Sequence, residues 1–197
     1  MTTGKFIAFE GGEGAGKSTQ ARLLAAALDA CGIECVVTRE PGGTPGAEAI
    51  RALLLGTEGE GWHPRAEALL FAAARSDHVE RLIRPAIAAG KWVICDRFVD
   101  SSRAYQGGGG GLSDEDVLAL HRVGSQGLLA DLTLLIEVSP EVARQRAATI
   151  LGRGASPADV TAALGFFLDS PAVTGQMIAV DGGQHLAWAT PDVLGVE

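Results

Sequence analysis

The chain has 197 residues, of which 47% are hydrophobic and 20% are charged, a balance typical of one globular domain with a substantial core. Its formal net charge of −8 argues against general nucleic-acid binding, because a phosphate backbone requires a basic face on its partner. Three cysteines without CxxC spacing favour a reducing compartment, and the lack of a leader or a long apolar stretch predicts a soluble cytoplasmic protein without membrane contact.

The first unit in the chain is a strand, a glycine-rich turn and a helix. Phe6–Phe9 is a short apolar run typical of a buried strand. Lys17–Ala30 carries leucine and alanine at helical spacing, and Gly32 follows as a C-terminal glycine. The turn between them, Gly11–Ser18, reads GGEGAGKS and matches G-x-x-x-x-G-K-[ST], which predicts a phosphate-binding loop.

The chemistry of this loop follows from its residue types. Glycines let the backbone turn tightly, with several N–H groups directed at a polyphosphate, and the following helix adds its positive end. Lys17 is expected to reach the β- and γ-phosphates, and the Ser18 hydroxyl is expected to ligate Mg²⁺. The predicted ATP-binding residues are Gly11, Gly12, Glu13, Gly14, Ala15, Gly16, Lys17, Ser18 and Thr19.

Strands and helices alternate along the rest of the chain. The further predicted strands are Glu34–Thr38, Trp92–Cys95, Leu132–Val138 and Gln176–Val180. The predicted helices are Ala47–Leu55, Pro64–Ala89 (kinked at Pro85, with a buried face at Leu69, Leu70, Ala73 and Ala74), Ser113–Gly127, Pro140–Leu151 and Pro157–Leu168. Val99–Gly111, which ends in five glycines, is expected to be a loop or a short helix. Apolar strands between helices predict a P-loop NTPase-type three-layer α/β sandwich, with a parallel sheet of about five strands covered by helices on both faces.

Five segments together resemble bacterial thymidylate (dTMP) kinases. They are FEGGEGAGKST, TREPGGTPGAEAIR, LLFAAARSDHV, CDRF and SSRAYQGGG, and the resemblance covers about residues 5–148. It implies a dTMP kinase, which transfers the γ-phosphoryl group of ATP to dTMP and gives dTDP, with ATP and Mg²⁺ as cofactors. It also implies small-molecule nucleotides as partners and, since family members are commonly homodimers, a homodimer as a candidate assembly.

The resemblance assigns nine residues to the acceptor nucleotide: Glu40, Pro41, Arg51, Phe71, Arg75, Arg97, Ser102, Tyr105 and Gln106. Phe71 and Arg75 lie four residues apart on one predicted helix and so face the same way. The ring is implied to stack on thymine, and the guanidinium is implied to donate a hydrogen bond to O4 of thymine. Cytosine has an amino group at that position, which would not accept this hydrogen bond. Taken alone, Phe71 is more typical of core packing, and Arg51 is as typical of a solvated helix face.

The resemblance assigns the catalysis to Lys17, Arg97, Asp96 and Glu13. Asp96 follows a buried strand and is implied to hold hydrated Mg²⁺, with Ser18 as the second metal residue. Arg97 is implied to neutralise the acceptor phosphate, and Glu13 to lie beside the sugar and the metal. Because the acceptor is already anionic, positioning and charge neutralisation are expected to suffice without a strong base.

The resemblance ends near residue 148, before the arginine-rich lid with which the family continues. Such a lid supplies charge over the transferring phosphate where the phosphate loop has no arginine; here Arg144, Arg146 and Arg153 are followed by no lid motif. Residues 152–188 instead resemble the C-terminal segment of short-chain dehydrogenases/reductases, through VTGQ and DGG. The chain is therefore interpreted as one domain and an apparent chimera, with a thymidylate-kinase-like part (1–151) and a foreign segment (152–197) that supplies the last helix and strand.

Three alternatives to a fully active dTMP kinase stay open on the sequence. The first is a weakly active or inactive nucleotide-binding fusion product, because the lid motif is missing. The second is a kinase for another deoxynucleoside monophosphate, against which Phe71 and Arg75 argue. The third is an oxidoreductase, which the tail suggests, but the early TGxxxGxG loop and the YxxxK pair of that family are both absent from the sequence.

Overall fold

The computed structural model describes residues 4–56 and 61–139, and the backbone of residues 176–179. The strands, in chain order, are β1 (Phe6–Glu10), β2 (Cys35–Arg39), β3 (Trp92–Asp96), β4 (Leu132–Leu135) and β5 (Gln176–Ala179). They form one sheet in the order β2-β3-β1-β4-β5, and every neighbouring pair is parallel. The sheet therefore places the carboxyl end of β1 between those of β3 and β4.

Helices lie on both faces of this sheet. The α-helices are α1 (Lys17–Ala30), α2 (Pro45–Leu55), α3 (Pro64–His78), α4 (Arg84–Ala88), α5 (Val99–Ser102) and α6 (Asp114–Ser125), and two π-helical segments are π1 (Val79–Ile83) and π2 (Arg103–Gly109). Side chains of β1 alternate between the two faces, as the pleat of a strand requires. Ile7 and Phe9 belong to the apolar cluster under α1, whereas Phe6 and Ala8 belong to the cluster under π1 and α4. This three-layer arrangement confirms the predicted fold class.

The helix ends follow from local sequence. Gly32 has a φ of 74°, and the amide of Ile33 donates to the carbonyl of Leu28 at 2.9 Å, which caps the carboxyl end of α1. Thr44 caps α2, with its Oγ1 accepting from the Ala47 amide at 3.3 Å, so this helix begins two residues before the predicted start. Ser113 caps α6 as predicted and accepts from the Asp116 amide at 3.1 Å.

The predicted buried face of the long helix is wrong in part. Leu69 is 57% exposed, and the buried residues of α3 are Ala68, Ala74, Arg75 and His78. The buried face thus contains alanines and two polar side chains that hydrogen-bond in the interior, a combination that apolar periodicity does not detect.

Two segments depart from regular α-helix. The long predicted helix is π-helical over π1, which ends two residues before Pro85, where proline disturbs the turn that precedes it. The first three of the five glycines after Tyr105 are helical, since Gly107–Gly109 belong to π2. The predicted helices Pro140–Leu151 and Pro157–Leu168 lie outside the described residues.

Candidate functional site

The glycine-rich loop between β1 and α1 has a backbone that only glycine adopts readily. Gly11, Gly14 and Gly16 have φ values of 141°, 73° and 100°. A Cβ on Gly11 would lie 2.2 Å from the carbonyl oxygen of Ile136, so a side chain there would clash with the backbone that follows β4. The loop is therefore held tightly against the carboxyl end of the sheet.

Lys17 at the start of α1 turns back into this loop. Its side chain is largely buried, and its Nζ donates to the Gly12 carbonyl at 2.7 Å. Burial lowers the pKa of the Lys17 ammonium, and the positive charge of Arg97 lowers it further. Two cations thus lie near each other at the loop, an arrangement that favours an anion between them.

Asp96 and Arg97 follow β3, which is the neighbour of β1 in the sheet. Asp96 pairs with Phe9 in the strand register, and its Oδ2 accepts a hydrogen bond from the Ser18 hydroxyl. Arg97 has a φ of 72°, a left-handed conformation that costs a non-glycine residue roughly 1 kcal/mol. Its amide donates to the Phe9 carbonyl at 2.8 Å, which holds this conformation. Such local strain is typical of functional sites.

Beside these residues lies a cavity of about 290 Å³. It is lined by Glu13, Glu40, Pro41, Arg51, Leu55, Glu67, Phe71, Arg75, Arg97, Phe98, Ser101, Ser102, Tyr105 and Gln106. All nine residues predicted for the acceptor are among them, and so is Glu13. The other predicted residues lie in or beside the loop: the glycines, Ala15, Lys17, Ser18 and Thr19 between β1 and the first turn of α1, and Asp96 at the end of β3.

The floor of the cavity contains a buried ion pair. Nε of Arg75 donates to Oε2 of Glu40 at 2.7 Å, and Nη2 donates to Oγ of Ser102 at 2.9 Å and to the Phe98 carbonyl at 3.1 Å. The guanidinium also lies 5.2 Å from the centre of the Phe98 ring. Because the carboxylate and three further groups surround Arg75, its charge is compensated although the side chain is only 5% exposed.

The mouth of the cavity carries the more exposed polar groups. Arg97 Nη1 donates to Ser101 Oγ at 3.2 Å and to Tyr105 Oη at 3.4 Å, and its guanidinium lies 5.3 Å from the Tyr105 ring centre. Arg51 Nη1 donates to the Pro41 carbonyl at 2.8 Å. Further inside, the buried Gln106 donates from Nε2 to Oε1 of Glu67 at 2.8 Å. Arg51 and Arg97 thus line the same cavity as the buried Arg75.

Sequence reasoning missed several residues of the site. Glu10 is buried at the end of β1 and accepts from the amides of Phe98 and Ser101 at 2.8 and 3.2 Å and from the Ser101 hydroxyl at 2.6 Å. Burial raises the pKa of this carboxyl, although the hydrogen bonds from Ser101 and Phe98 act in the opposite direction. The available signal was a charged residue that ends an otherwise apolar strand. His78 and Glu67 were also missed, although both lie on α3 with the predicted Phe71 and Arg75.

Comparison with known proteins identifies the family. The sequence model of thymidylate kinases matches residues 9–150. The chain belongs to the thymidylate kinase family. The thymidylate kinase of Rhizorhabdus wittichii is 65% identical over 135 residues, which cover 68% of this chain and 65% of that protein. That of Caulobacter vibrioides is 55% identical over 147 residues, or 75% of this chain and 71% of that protein.

A solved thymidylate kinase supports the same assignment. The crystal structure of thymidylate kinase from Ehrlichia chaffeensis has 33% sequence identity and a TM-score of 0.68, and it covers 90% of this chain and 93% of the other. This chain thus spans just under two thirds of the R. wittichii relative in sequence, but most of the E. chaffeensis protein in structure. Within the part of the chain that the structure describes, no helix is long and apolar enough to cross a membrane.

Proposed function

We propose that this chain transfers the γ-phosphoryl group of ATP to dTMP and gives dTDP. The observation that carries the proposal is the position of the cavity: Arg97 at its mouth adjoins Asp96, which accepts from Ser18 of the phosphate-binding loop. A nucleotide monophosphate in the cavity would place its phosphate beside a triphosphate held by that loop. Thymidylate kinase relatives at 65% and 55% identity support dTMP as the acceptor.

The roles of the donor-side residues follow from their charge and position. The loop amides and Lys17 bind the β- and γ-phosphates of ATP, and the ammonium is available because it leaves its internal acceptor, the Gly12 carbonyl, for a stronger anionic one. Arg97 and Arg51 bind the phosphate of dTMP and reduce its repulsion from the γ-phosphate. Proximity and charge neutralisation then lower the barrier, since the acceptor oxygen is already anionic.

The residues beside the loop fit a magnesium ion. Ser18 and Asp96 offer a hydroxyl and a carboxylate oxygen that lie within hydrogen-bonding distance of each other. The described ranges contain no cluster of three or more acidic, histidine or cysteine side chains that could hold a metal. A hydroxyl and a carboxylate suit Mg²⁺, which keeps several waters and takes phosphate oxygens as ligands. When bound with ATP, the ion neutralises charge on the phosphate oxygens.

The base is selected by the interior of the cavity. Phe71, which is half-buried, stacks on thymine, and Arg75 donates to the O4 carbonyl. Tyr105 lies at the mouth beside Arg97 and opposes a 2′-hydroxyl sterically, while Glu40, Pro41, Ser102 and Gln106 complete the wall. This assignment predicts dTMP over dCMP, because the cytosine amino group repels a guanidinium donor.

A coupled assay of ADP release tests the proposal. The full chain is supplied with ATP and Mg²⁺ and with dTMP, dUMP, dCMP or no acceptor. Turnover that is fastest with dTMP supports the proposal. Binding of ATP without turnover on any acceptor would instead identify the chain as a nucleotide-binding protein without kinase activity.

We also propose that residues 152–188 derive from a short-chain dehydrogenase/reductase and not from a thymidylate kinase. The end of the family match at residue 150 and the VTGQ and DGG strings support this origin. Replacing residues 152–197 with the C-terminal part of the R. wittichii relative tests the functional consequence of this origin, which is a missing lid. We expect turnover to rise, because the family resemblance places the arginine-rich lid after residue 148. Unchanged turnover would argue against a missing lid.

A homodimer is the proposed assembly. Leu69 on α3 is 57% exposed and Val123 on α6 is 85% exposed, and these two helices pack against each other. Exposed apolar side chains on neighbouring helices favour association. Sedimentation velocity of the full chain distinguishes a dimer from a monomer.

A further inference from the structure

Behind the cavity, a chain of buried hydrogen bonds runs from β2 to Arg75. Thr38 Oγ1 lies 2.7 Å from Nε2 of His78, and His78 Nδ1 lies 3.1 Å from Oε1 of Glu40. The other oxygen of Glu40 accepts from Arg75 Nε at 2.7 Å. His78 is fully buried, and the other three side chains are at most 8% exposed. These hydrogen bonds therefore lie in the interior, where solvent does not compete for them.

Only two of these four hydrogen-bonded residues reach the cavity. Glu40 and Arg75 line it, whereas Thr38 and His78 do not. The carboxylate of Glu40 is thus shared: one oxygen faces the histidine and the other faces the arginine. Removing a donor from one oxygen of a buried carboxylate leaves that oxygen unsatisfied, and the group is expected to rotate or move toward its remaining partner.

The contacts of Arg75 leave one corner of its guanidinium for a ligand. Nε donates to Glu40, and Nη2 donates to Ser102 and to the Phe98 carbonyl. Among the described residues, no acceptor contacts Nη1. Since a guanidinium is planar, fixing Nε and Nη2 also fixes the direction of the Nη1 hydrogens.

We propose that His78 is a positioning residue for base selection: it donates from Nδ1 to Glu40 and thereby fixes the direction in which Arg75 Nη1 meets the pyrimidine carbonyl. Thr38 donates its hydroxyl proton to Nε2 and so keeps the proton of the ring on Nδ1. This inference rests on the proposed function, because it concerns the base of the acceptor nucleotide. It adds a residue that touches neither nucleotide.

The packing around His78 supports a fixed ring. A Cβ on Gly43 would lie 2.3 Å from Thr38 Oγ1 and 2.7 Å from His78 Nε2, so the backbone of the loop after β2 closes directly over this pair. The loop on one side and the hydrogen bond to Glu40 on the other restrict rotation of the ring. A fixed ring is what a positioning role requires.

Two substitutions of His78 distinguish the roles of its two ring nitrogens. In His78→Asn the side-chain amide takes the place of Nδ1 and keeps a donor toward Glu40, whereas in His78→Gln the amide takes the place of Nε2 and loses that donor. Binding of dTMP, dCMP and ATP to each full-length variant is measured by calorimetry, so that no turnover is needed. Circular dichroism and thermal melting verify that both variants are folded.

We expect His78→Gln to bind dTMP roughly tenfold more weakly than the wild-type chain and to lose a similar factor in the dTMP-to-dCMP affinity ratio. His78→Asn should remain within about twofold of wild type in both quantities, and ATP affinity should be the same in all three proteins. An unchanged ratio in His78→Gln, or an equal loss in both variants, overturns the inference. A wild-type chain that does not bind dTMP overturns the proposed function itself, which is a distinguishable result.

A measurement on the wild-type chain does not depend on folded variants. Long-range ¹H–¹⁵N spectra of the histidine rings report which nitrogen carries the proton. We expect His78 to be protonated on Nδ1 both before and after addition of dTMP. An unprotonated Nδ1 would contradict the proposed donation to Glu40.

Discussion

Glu10 joins the two loops that flank the proposed site of phosphoryl transfer. It ends β1, directly before the phosphate-binding loop, and its carboxylate accepts from three donors in the segment after Arg97. The Ser101 hydroxyl that donates to Glu10 also accepts from Arg97 at 3.2 Å. One buried carboxylate thus holds the segment after Arg97 at a fixed distance from the phosphate-binding loop.

The raised pKa of Glu10 predicts a pH-dependent stability. Below the ordinary value of 4.5, this carboxyl is protonated in both the folded and the unfolded chain. As the pH rises above 4.5, the unfolded chain releases the proton first, so stability is lost until the folded carboxyl also ionises. Glu10→Gln lacks this effect. We expect the free energy of unfolding of the wild type, measured with urea between pH 4.5 and 7.5, to fall relative to that of Glu10→Gln. A constant difference between the two would contradict this expectation.

Lys17 allows a direct test of the donor side. Lys17→Ala removes the ammonium at the loop, and we expect turnover to fall by at least about a hundredfold, as when a preorganised donor is lost from an active site. The fold should be unchanged in circular dichroism, because the ammonium donates to the Gly12 carbonyl of its own loop and not to a distant element. Lys91→Ala is the matched control: Lys91 pairs with Glu34 on the surface and should retain full turnover in the same ADP-release assay. Near-wild-type turnover in Lys17→Ala would count heavily against the proposal.

At the scale of single residues, the sequence predicts what is encoded in short spacings. The loop from Gly11 to Ser18 and the pair Phe71 and Arg75 are local patterns. In the structure, Phe71, Arg75 and Glu13 of the loop line one cavity. Glu10 and its partners Phe98 and Ser101 are 88 and 91 residues apart in the chain. No local pattern marks such a contact, because it exists only after β1 and β3 have paired.

The loop after β2 is the element that closes the back of the cavity. Gly43 in this loop has a φ of 88°, and a Cβ there would contact Thr38 Oγ1 and His78 Nε2 at less than 3.0 Å. Both its backbone and its close contacts therefore require glycine. A side chain at Gly43 would displace Thr38 and His78, and with them the buried hydrogen bonds that lead to Arg75.

Two glycine substitutions distinguish these causes. Gly32→Ala has a comparable φ of 74° but no atom within 4 Å of the added Cβ, so it should cost only the backbone strain, about 1–2 kcal/mol. Gly43→Ala adds a steric conflict, and we expect it to cost at least about 3 kcal/mol and to weaken dTMP binding. Urea unfolding and calorimetry measure both quantities. Equal destabilisation by the two substitutions would show that the conflict at Gly43 is relieved.

At the scale of elements, sequence prediction succeeds where caps and apolar runs are regular. The first helix, Lys17–Ala30, has its predicted bounds, and the predicted strands agree to within a few residues. It does not identify π1 and π2 as π-helical, since an extra residue per turn departs from the 3.6-residue period on which helix prediction depends. Val99–Gly111, predicted as a loop or a short helix because of its five glycines, is helical over α5 and π2.

For the molecule as a whole, the edge strand β5 determines whether β4 is covered. Leu132–Leu135 pairs with β1 on one side and with Gln176–Ala179 on the other. Without β5, the backbone N–H and C=O groups of β4 on that side would be unpaired, which favours association with other chains.

Two truncations test this role of β5. A chain that ends at Gly175 lacks the strand, whereas one that ends at Ala179 retains it. We expect the shorter chain to melt at a lower temperature and to aggregate, as measured by calorimetry and light scattering, because the edge of β4 is exposed. If the two chains behave alike, β5 contributes little to the sheet.

The π-helical segment before Pro85 has a consequence for how one long helix serves two regions. An inserted residue rotates everything beyond it by about 100° relative to an uninterrupted α-helix. Upstream, Arg75 lines the cavity and His78 hydrogen-bonds to Glu40 behind it; downstream, Ala86 and Ile87 pack in the apolar cluster under the sheet. This rotation lets one long helix direct polar side chains toward the nucleotide site before π1 and apolar side chains toward the core after it. The two helical faces can therefore differ in residue type.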